Sequence, residues 1–232
     1  MKIIIDTKEN IANMVSDKFI NLVKENPNAV LGLATGSTPI DTYKLIIAKA
    51  KEGNVSFKNV KTFNLDEYVN YPFYESSYRF FMDDNLFNHL DVNKDNTNFP
   101  SEDNYQTYDE EIKKAGGVDL QILGIGANGH IGFNEPNTPF DSLTHITKLD
   151  SKTIQDNARF FSSIDEVPTS AITMGLTTIM NSKEVVLIAL GANKADAIKA
   201  LVDNVGPICP ASILNGHSNV TIYCDKDAAS KI

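Results

Sequence analysis

Short runs rich in apolar and β-branched residues alternate along this chain with longer stretches of helical periodicity, and no other feature restricts its fold as strongly. Six such runs, at 2–5, 29–34, 60–65, 119–124, 184–190 and 220–224, read as strands. The intervening segments at about 8–25, 38–52, 75–88, 104–115, 170–181 and 192–203 read as helices. A strand that feeds a helix and then another strand builds βα units around a mainly parallel sheet. The expectation is therefore an α/β fold: an open, mainly parallel twisted sheet with helices on both faces, in a modified Rossmann-like arrangement. At 232 residues and 42% hydrophobic content the chain can bury one sizeable core, so residues 1–232 are read as a single domain. The stretch from 124 to about 170 is harder to read, because glycine, proline and asparagine interrupt every helical pattern in its first half. It is expected to form an active-site lid or loop insertion, with a small hairpin around 143–149 as the alternative.

Charge and composition remove several classes of function. The 21 basic residues face 30 acidic ones, a formal charge of -9 that disfavours sequence-independent attraction to nucleic acid or to an anionic membrane. No stretch is apolar for long enough to span a bilayer, and the N-terminal run turns polar too soon for a secretory signal, so a cytoplasmic protein is expected. Cys209 and Cys224 are too few for a disulfide scaffold and have no zinc-binding spacing, so both are read as structural and no metal is expected.

In open α/β sheets ligands collect outside the carboxyl ends of the strands, so a site should be sought in the residues just beyond each apolar run. After the second strand comes Ala34-Thr35-Gly36-Ser37-Thr38-Pro39, a glycine and hydroxyl turn with Pro39 suited to the first turn of a helix. Free backbone N–H groups there would favour an anion, although an ordinary turn capped by Ser37 or Thr38 fits equally well. The Walker spacing is missing. The third strand ends on Asp66-Glu67, a carboxylate pair that suits either a general base or a solvated turn.

After the fourth strand, Gly124-Ile125-Gly126-Ala127-Asn128-Gly129-His130 continues through Gly132 to Glu135, setting asparagine, histidine and glutamate close together. Histidine exchanges protons near neutral pH, and a neighbouring carboxylate can orient its ring. The same glycines match Gly-x-Gly-x-x-Gly formally. A dinucleotide site needs a helix opening there, and Gly132 and Pro136 would soon break one. After the fifth strand, Gly191-Ala192-Asn193-Lys194 opens a helix, a place where a lysine is disfavoured by the helix dipole unless an anion binds. Arg159, between Asn157 and the pair Phe160-Phe161, offers a guanidinium suited to phosphate, and either it or Lys194 fits equally an ordinary surface cation.

Taken together, LGLATGSTP at 31–39, FNLDEY at 63–68, GIGANGHIGFNEP at 124–136, ARFF at 158–161 and the turn ending at Lys194 resemble the glucosamine-6-phosphate deaminase family over essentially the full length. The sister 6-phosphogluconolactonases differ after the Gly-His pair. The resemblance implies conversion of glucosamine 6-phosphate and water to fructose 6-phosphate and ammonia, with no cofactor. Asp66 matches the family's base for enolisation and His130 the residue that assists ring opening, with Asn128 and Glu135 supporting it. Thr35, Gly36, Ser37, Thr38, Arg159 and Lys194 match the substrate phosphate site. The larger allosteric members carry aspartate where this chain has Asn128, and cations where it has His145 and Thr147. These departures imply altered ring-opening details, little activation by N-acetylglucosamine 6-phosphate, and a monomer or small homo-oligomer.

Overall fold

The computed structural model describes residues 1–69, 74–158 and 161–232. Among them a seven-stranded sheet is built from β1 (Lys2–Ile5), β2 (Val30–Leu33), β3 (Lys61–Asn64), β5 (Thr97–Asn98), β6 (Leu120–Leu123), β9 (Glu184–Ala189) and β10 (Val220–Cys224). Their spatial order is β1-β10-β9-β6-β2-β3-β5, and every pairing is parallel. The central strands are sealed on both faces: Val185, Val186 and Leu187 in β9 and Leu123 in β6 have no solvent exposure. That double burial explains why these strands read as continuous apolar runs rather than as alternating ones.

Helix α1 (Lys8–Glu25) is capped by Thr7, whose hydroxyl accepts from the Asn10 N–H at 3.2 Å. Its buried residues Ile11, Val15, Phe19 and Val23 recur every fourth position and pack it beside α2 (Ile40–Glu52). From β2 the chain steps outward to β3 and β5. It then returns to β6 on the other side of β2 and continues through β9 to β10. With right-handed crossovers, α1, α2 and α3 (Tyr78–Asn85) lie on one face of the sheet. On the same rule α4 (Tyr108–Lys114), α6 (Leu176–Met180) and α7 (Ala195–Val202) lie on the other. The reversal of direction falls between β2 and β6, so the loops leaving these two strands part and open a crevice.

A second sheet, antiparallel and three-stranded, joins β4 (Asp66–Tyr68), β8 (Ser170–Thr173) and β7 (His145–Lys148) in the order β4-β8-β7. The helix expected over 170–181 is thus corrected: its first part is β8, and only Leu176–Met180 is helical. A segment passing between β4 and β7 gains ladder bonds along both edges, which outweighs a helical preference over so few residues. The alternative hairpin around 143–149 is also corrected, since that stretch holds the single strand β7, whose antiparallel partner β8 lies across a long connection. The connection between them carries α5 (Ser151–Asn157). The helix expected over 75–88 is shorter, because Ser77 is extended and caps α3 by accepting from the Phe80 N–H at 3.0 Å. Leu86 ends it outside helical geometry.

Candidate active site

A cavity of about 840 Å³ opens above the carboxyl ends of β2, β3, β6, β9 and β10. At the end of β2, the buried Tyr43 hydroxyl donates to the Ala34 carbonyl at 2.6 Å and accepts from the Ala34 N–H at 3.2 Å. This pins the strand end while the next residues turn away, and Thr35, Gly36, Ser37 and Thr38 line the cavity. Gly36 adopts φ +88 with open space where a Cβ would stand, so its requirement is dihedral rather than steric. Pro39 is the N-cap of α2 rather than its first residue, and no side chain caps this helix. The hydroxyls of the turn therefore face the cavity beside the positive end of a 13-residue helix.

Across the cavity, Gly191 at φ +91 donates its N–H to both Asp225 oxygens, at 3.0 and 2.9 Å. The turn it begins delivers Lys194 to the cavity wall at the start of α7. Both halves of the expected phosphate site thus meet in one cavity. Arg159 lies outside the described residues.

Asp66 opens β4 opposite Thr173, fixed in place by the Met174 N–H donating to the Leu65 carbonyl at 2.7 Å. It is buried and lines the cavity. Burial first, and then the adjacent Glu67 charge, push its carboxyl up to about 8. Glu67 itself turns away from the cavity and accepts the N–H groups of Tyr68, Tyr78 and Arg79, each at 2.9 Å. Burial raises its pKa against those hydrogen bonds. The acidic pair thus divides into a cavity carboxyl and a cap for the first turn of α3.

The loop after β6 forms a tight turn instead of a helix: Gly126 donates to the His130 carbonyl at 2.9 Å and Gly129 to the Gly126 carbonyl at 3.0 Å. The geometry that a dinucleotide fingerprint requires is therefore missing. His130 lines the cavity, with Asn128 and Glu135 behind it. Asn128 donates through Nδ2 to Glu135 Oε2 at 2.9 Å, which fixes the orientation of its amide. Its Oδ1 lies 2.7 Å from His130 Nδ1 and can only accept, so Nδ1 carries the hydrogen and Nε2 is left to exchange a proton with a ligand. Glu135 Oε2 is 3.5 Å from the same Nδ1. Burial would raise the Glu135 carboxyl, but the hydrogen bond and charge of His130, joined by Thr153 and Asn128, outweigh it and hold the carboxyl at about 2.

The next part of the loop then passes close to Asp66. A Cβ on Gly132 would stand 3.6 Å from Asp66 Oδ2 and 2.7 Å from the Thr173 hydroxyl. A raised carboxyl and a histidine backed by an ionised carboxylate therefore face one cavity, an arrangement suited to moving protons at neighbouring atoms of one ligand. Sequence reasoning missed Thr153, which lines the same cavity, and Tyr68, whose ring packs against Tyr78 at 4.7 Å and Phe133 at 6.1 Å. Tyr68 stands in the FNLDEY motif, whereas no local pattern marks Thr153.

The family model described as glucosamine-6-phosphate isomerases/6-phosphogluconolactonase matches residues 6–223. A glucosamine-6-phosphate deaminase of Mycoplasma mycoides subsp. mycoides is 51% identical over 235 residues, covering 99% of this chain and 96% of its own. The solved structure of a monomeric glucosamine-6-phosphate deaminase superposes with a TM-score of 0.96 at 41% identity, over the whole of both chains. A 6-phosphogluconolactonase structure from Leishmania guyanensis reaches 0.77 at 16% identity, over 100% of this chain and 98% of its own, and shares the fold alone. With its motifs on the strand ends of this fold and the match running almost from end to end, the chain belongs to the glucosamine-6-phosphate isomerase/6-phosphogluconolactonase family.

Proposed function

We propose that this protein is a glucosamine-6-phosphate deaminase, converting glucosamine 6-phosphate and water to fructose 6-phosphate and ammonia. The observation that carries the reading is the shared cavity of Asp66 and His130, with the hydroxyl turn and Lys194 on its walls. The phosphate end of the sugar is held by Thr35, Gly36, Ser37, Thr38 and Lys194, with Arg159 retained in the proposal from the sequence. Anchoring that end sets the other end of the sugar against the two proton-transfer groups.

His130, with Nδ1 held by Asn128, exchanges a proton through Nε2 at the ring oxygen or the C1 hydroxyl, and the pyranose opens to a C1 aldehyde. The aldehyde acidifies the C2 proton. Asp66 removes it, and its raised pKa makes it a stronger base than an ordinary aspartate. Reprotonation at C1 leaves an imine at C2, which water attacks, and the nitrogen departs as ammonia. The C1 aldehyde activates the C2 proton and the C2 imine activates the attack of water, so the scheme calls for no cofactor. The same proposal holds the chain to a single domain, a monomer or small homo-oligomer, and a cytoplasmic location. Among the described residues no helix is long and apolar enough to cross a membrane.

The deciding experiment measures ammonia and fructose 6-phosphate together from glucosamine 6-phosphate, with 6-phosphogluconolactone as the parallel substrate. Equal release of both products is expected. Turnover of the lactone alone would transfer the chain to the sister activity, and silence on both would leave a sugar-phosphate sensor. Lys194→Ala is expected to raise KM by about 10- to 100-fold, the worth of a charged hydrogen bond. An unchanged KM would remove Lys194 from the phosphate site.

A further inference from the structure

Glu135 has two carboxylate oxygens, and the structure gives each a separate task. Oε2 faces the Asn128 amide and the His130 ring. Oε1 accepts a hydrogen bond of 2.5 Å from the hydroxyl of Thr153, which is 4% exposed. Thr153 belongs to α5, far from the β6 loop in sequence, and Asn157 one turn later donates to the Tyr68 hydroxyl at 3.2 Å. Residues four apart share a helix face, so α5 directs both polar side chains toward the cavity wall. A carboxylate anchored at one oxygen alone can rotate about its terminal torsion, which is broad and soft. With Oε1 held by Thr153, rotation would break a short hydrogen bond, so Oε2 stays turned toward Asn128 and His130.

We propose that Thr153 is a positioning residue for His130, acting through Glu135, so that docking of α5 is what completes the histidine side of the site. This inference rests on the deaminase reading and extends it to a residue whose hydroxyl is hydrogen-bonded to Glu135. A threonine that merely packs the helix would need its shape and not its hydroxyl, and the two roles separate in a double-mutant cycle.

The test compares Thr153→Val and Thr153→Ser in the native chain and in a Glu135→Gln background, using ammonia release from glucosamine 6-phosphate. Thr153→Val keeps the shape and removes the hydroxyl, and is expected to lower kcat by about 10- to 100-fold with KM changed less than about threefold. Thr153→Ser is expected to stay within about threefold of the native rate. In the Glu135→Gln background, Thr153→Val should cost less than about twofold more, because residues that act as a unit are not additive. An equal loss in both backgrounds, or a Thr153→Ser variant as slow as Thr153→Val, would overturn the proposal. If Thr153→Val lacks the native melting transition, Thr153→Ala completes the same cycle. Absence of deaminase activity in the native chain would instead refute the functional reading, whereas an active native chain with an additive cycle refutes the role of Thr153 alone.

Discussion

Asp66→Asn is expected to abolish turnover and, at the same time, to make the protein harder to melt. The loss of rate follows from removing the base, at least about a thousandfold in kcat. The gain in stability follows from proton linkage. Asp66 has a pKa of about 8 in the folded chain against 3.8 in the unfolded one. Below pH 4 it is protonated in both states and costs nothing. Between pH 4 and 8 the unfolded state releases its proton and the folded state holds on to it, so stability falls as pH rises, levelling off above pH 8. Asparagine does not titrate, and the penalty of burying this carboxyl disappears with it. The gain should grow across that window to on the order of 6 kcal/mol, or roughly 12 to 24 °C in melting temperature for a chain of this size. Melting curves at pH 4.5, 6 and 8 check this, and a difference that ignores pH would mean that Asp66 ionises normally. In the native enzyme the same group gives kcat/KM a limb that rises toward pH 8, because kcat/KM reports free-enzyme ionisations.

Gly126→Ala should silence the histidine without touching it. A Cβ at this position would stand 2.2 Å from His130 Cε1 and 2.3 Å from Nδ1, well inside contact distance. The backbone cannot easily retreat, since Gly126 lies three residues beyond the buried end of β6, next to the buried Ile125, and is hydrogen-bonded to both His130 and Gly129 across the turn. The ring must leave its place beside Asn128 and Glu135. Misplacement by about 1 Å can cost on the order of a hundredfold, so kcat/KM should fall by at least that factor. The C2 proton exchange that depends on Asp66 should be preserved with an open-chain analogue. A variant with near-native kcat/KM would show that the His130 ring need not occupy this position during turnover.

The sequence made the parallel sheet legible because its strands are buried on both faces. Val30–Leu33, Leu120–Leu123 and Glu184–Ala189 stand out as apolar runs even without their partners. The small antiparallel sheet was not legible in the same way. β4 and β7 span only three and four residues, so their patterns are too brief to separate strand from turn, and β8 merges in the sequence with the helix that succeeds it. The gathering of Asp66, His130 and Glu135 at one cavity was legible because strand ends in this architecture collect ligands and these residues stand in the segments that follow β3 and β6. Thr153 was not, because a threonine on a seven-residue helix has no local signature and acquires its meaning only when α5 reaches the β6 loop. Glu67 was visible as half of an acidic pair. Its capping of α3 depends on a helix that begins eleven residues later.

The pairing of β1 with β10 has a consequence for how the enzyme is made. Lys2 stands opposite Thr221, so among the described residues β1 pairs only with a strand that is synthesised more than two hundred residues after it. At ordinary rates of synthesis it waits on the order of 10 to 40 s for that partner. Asp225, which holds the Gly191 turn and with it Lys194 in place, arrives at the same moment, directly behind β10. Asp66 and His130 thus lie in earlier segments than the carboxylate that supports the lysine wall, and that wall waits for the chain to pass β10.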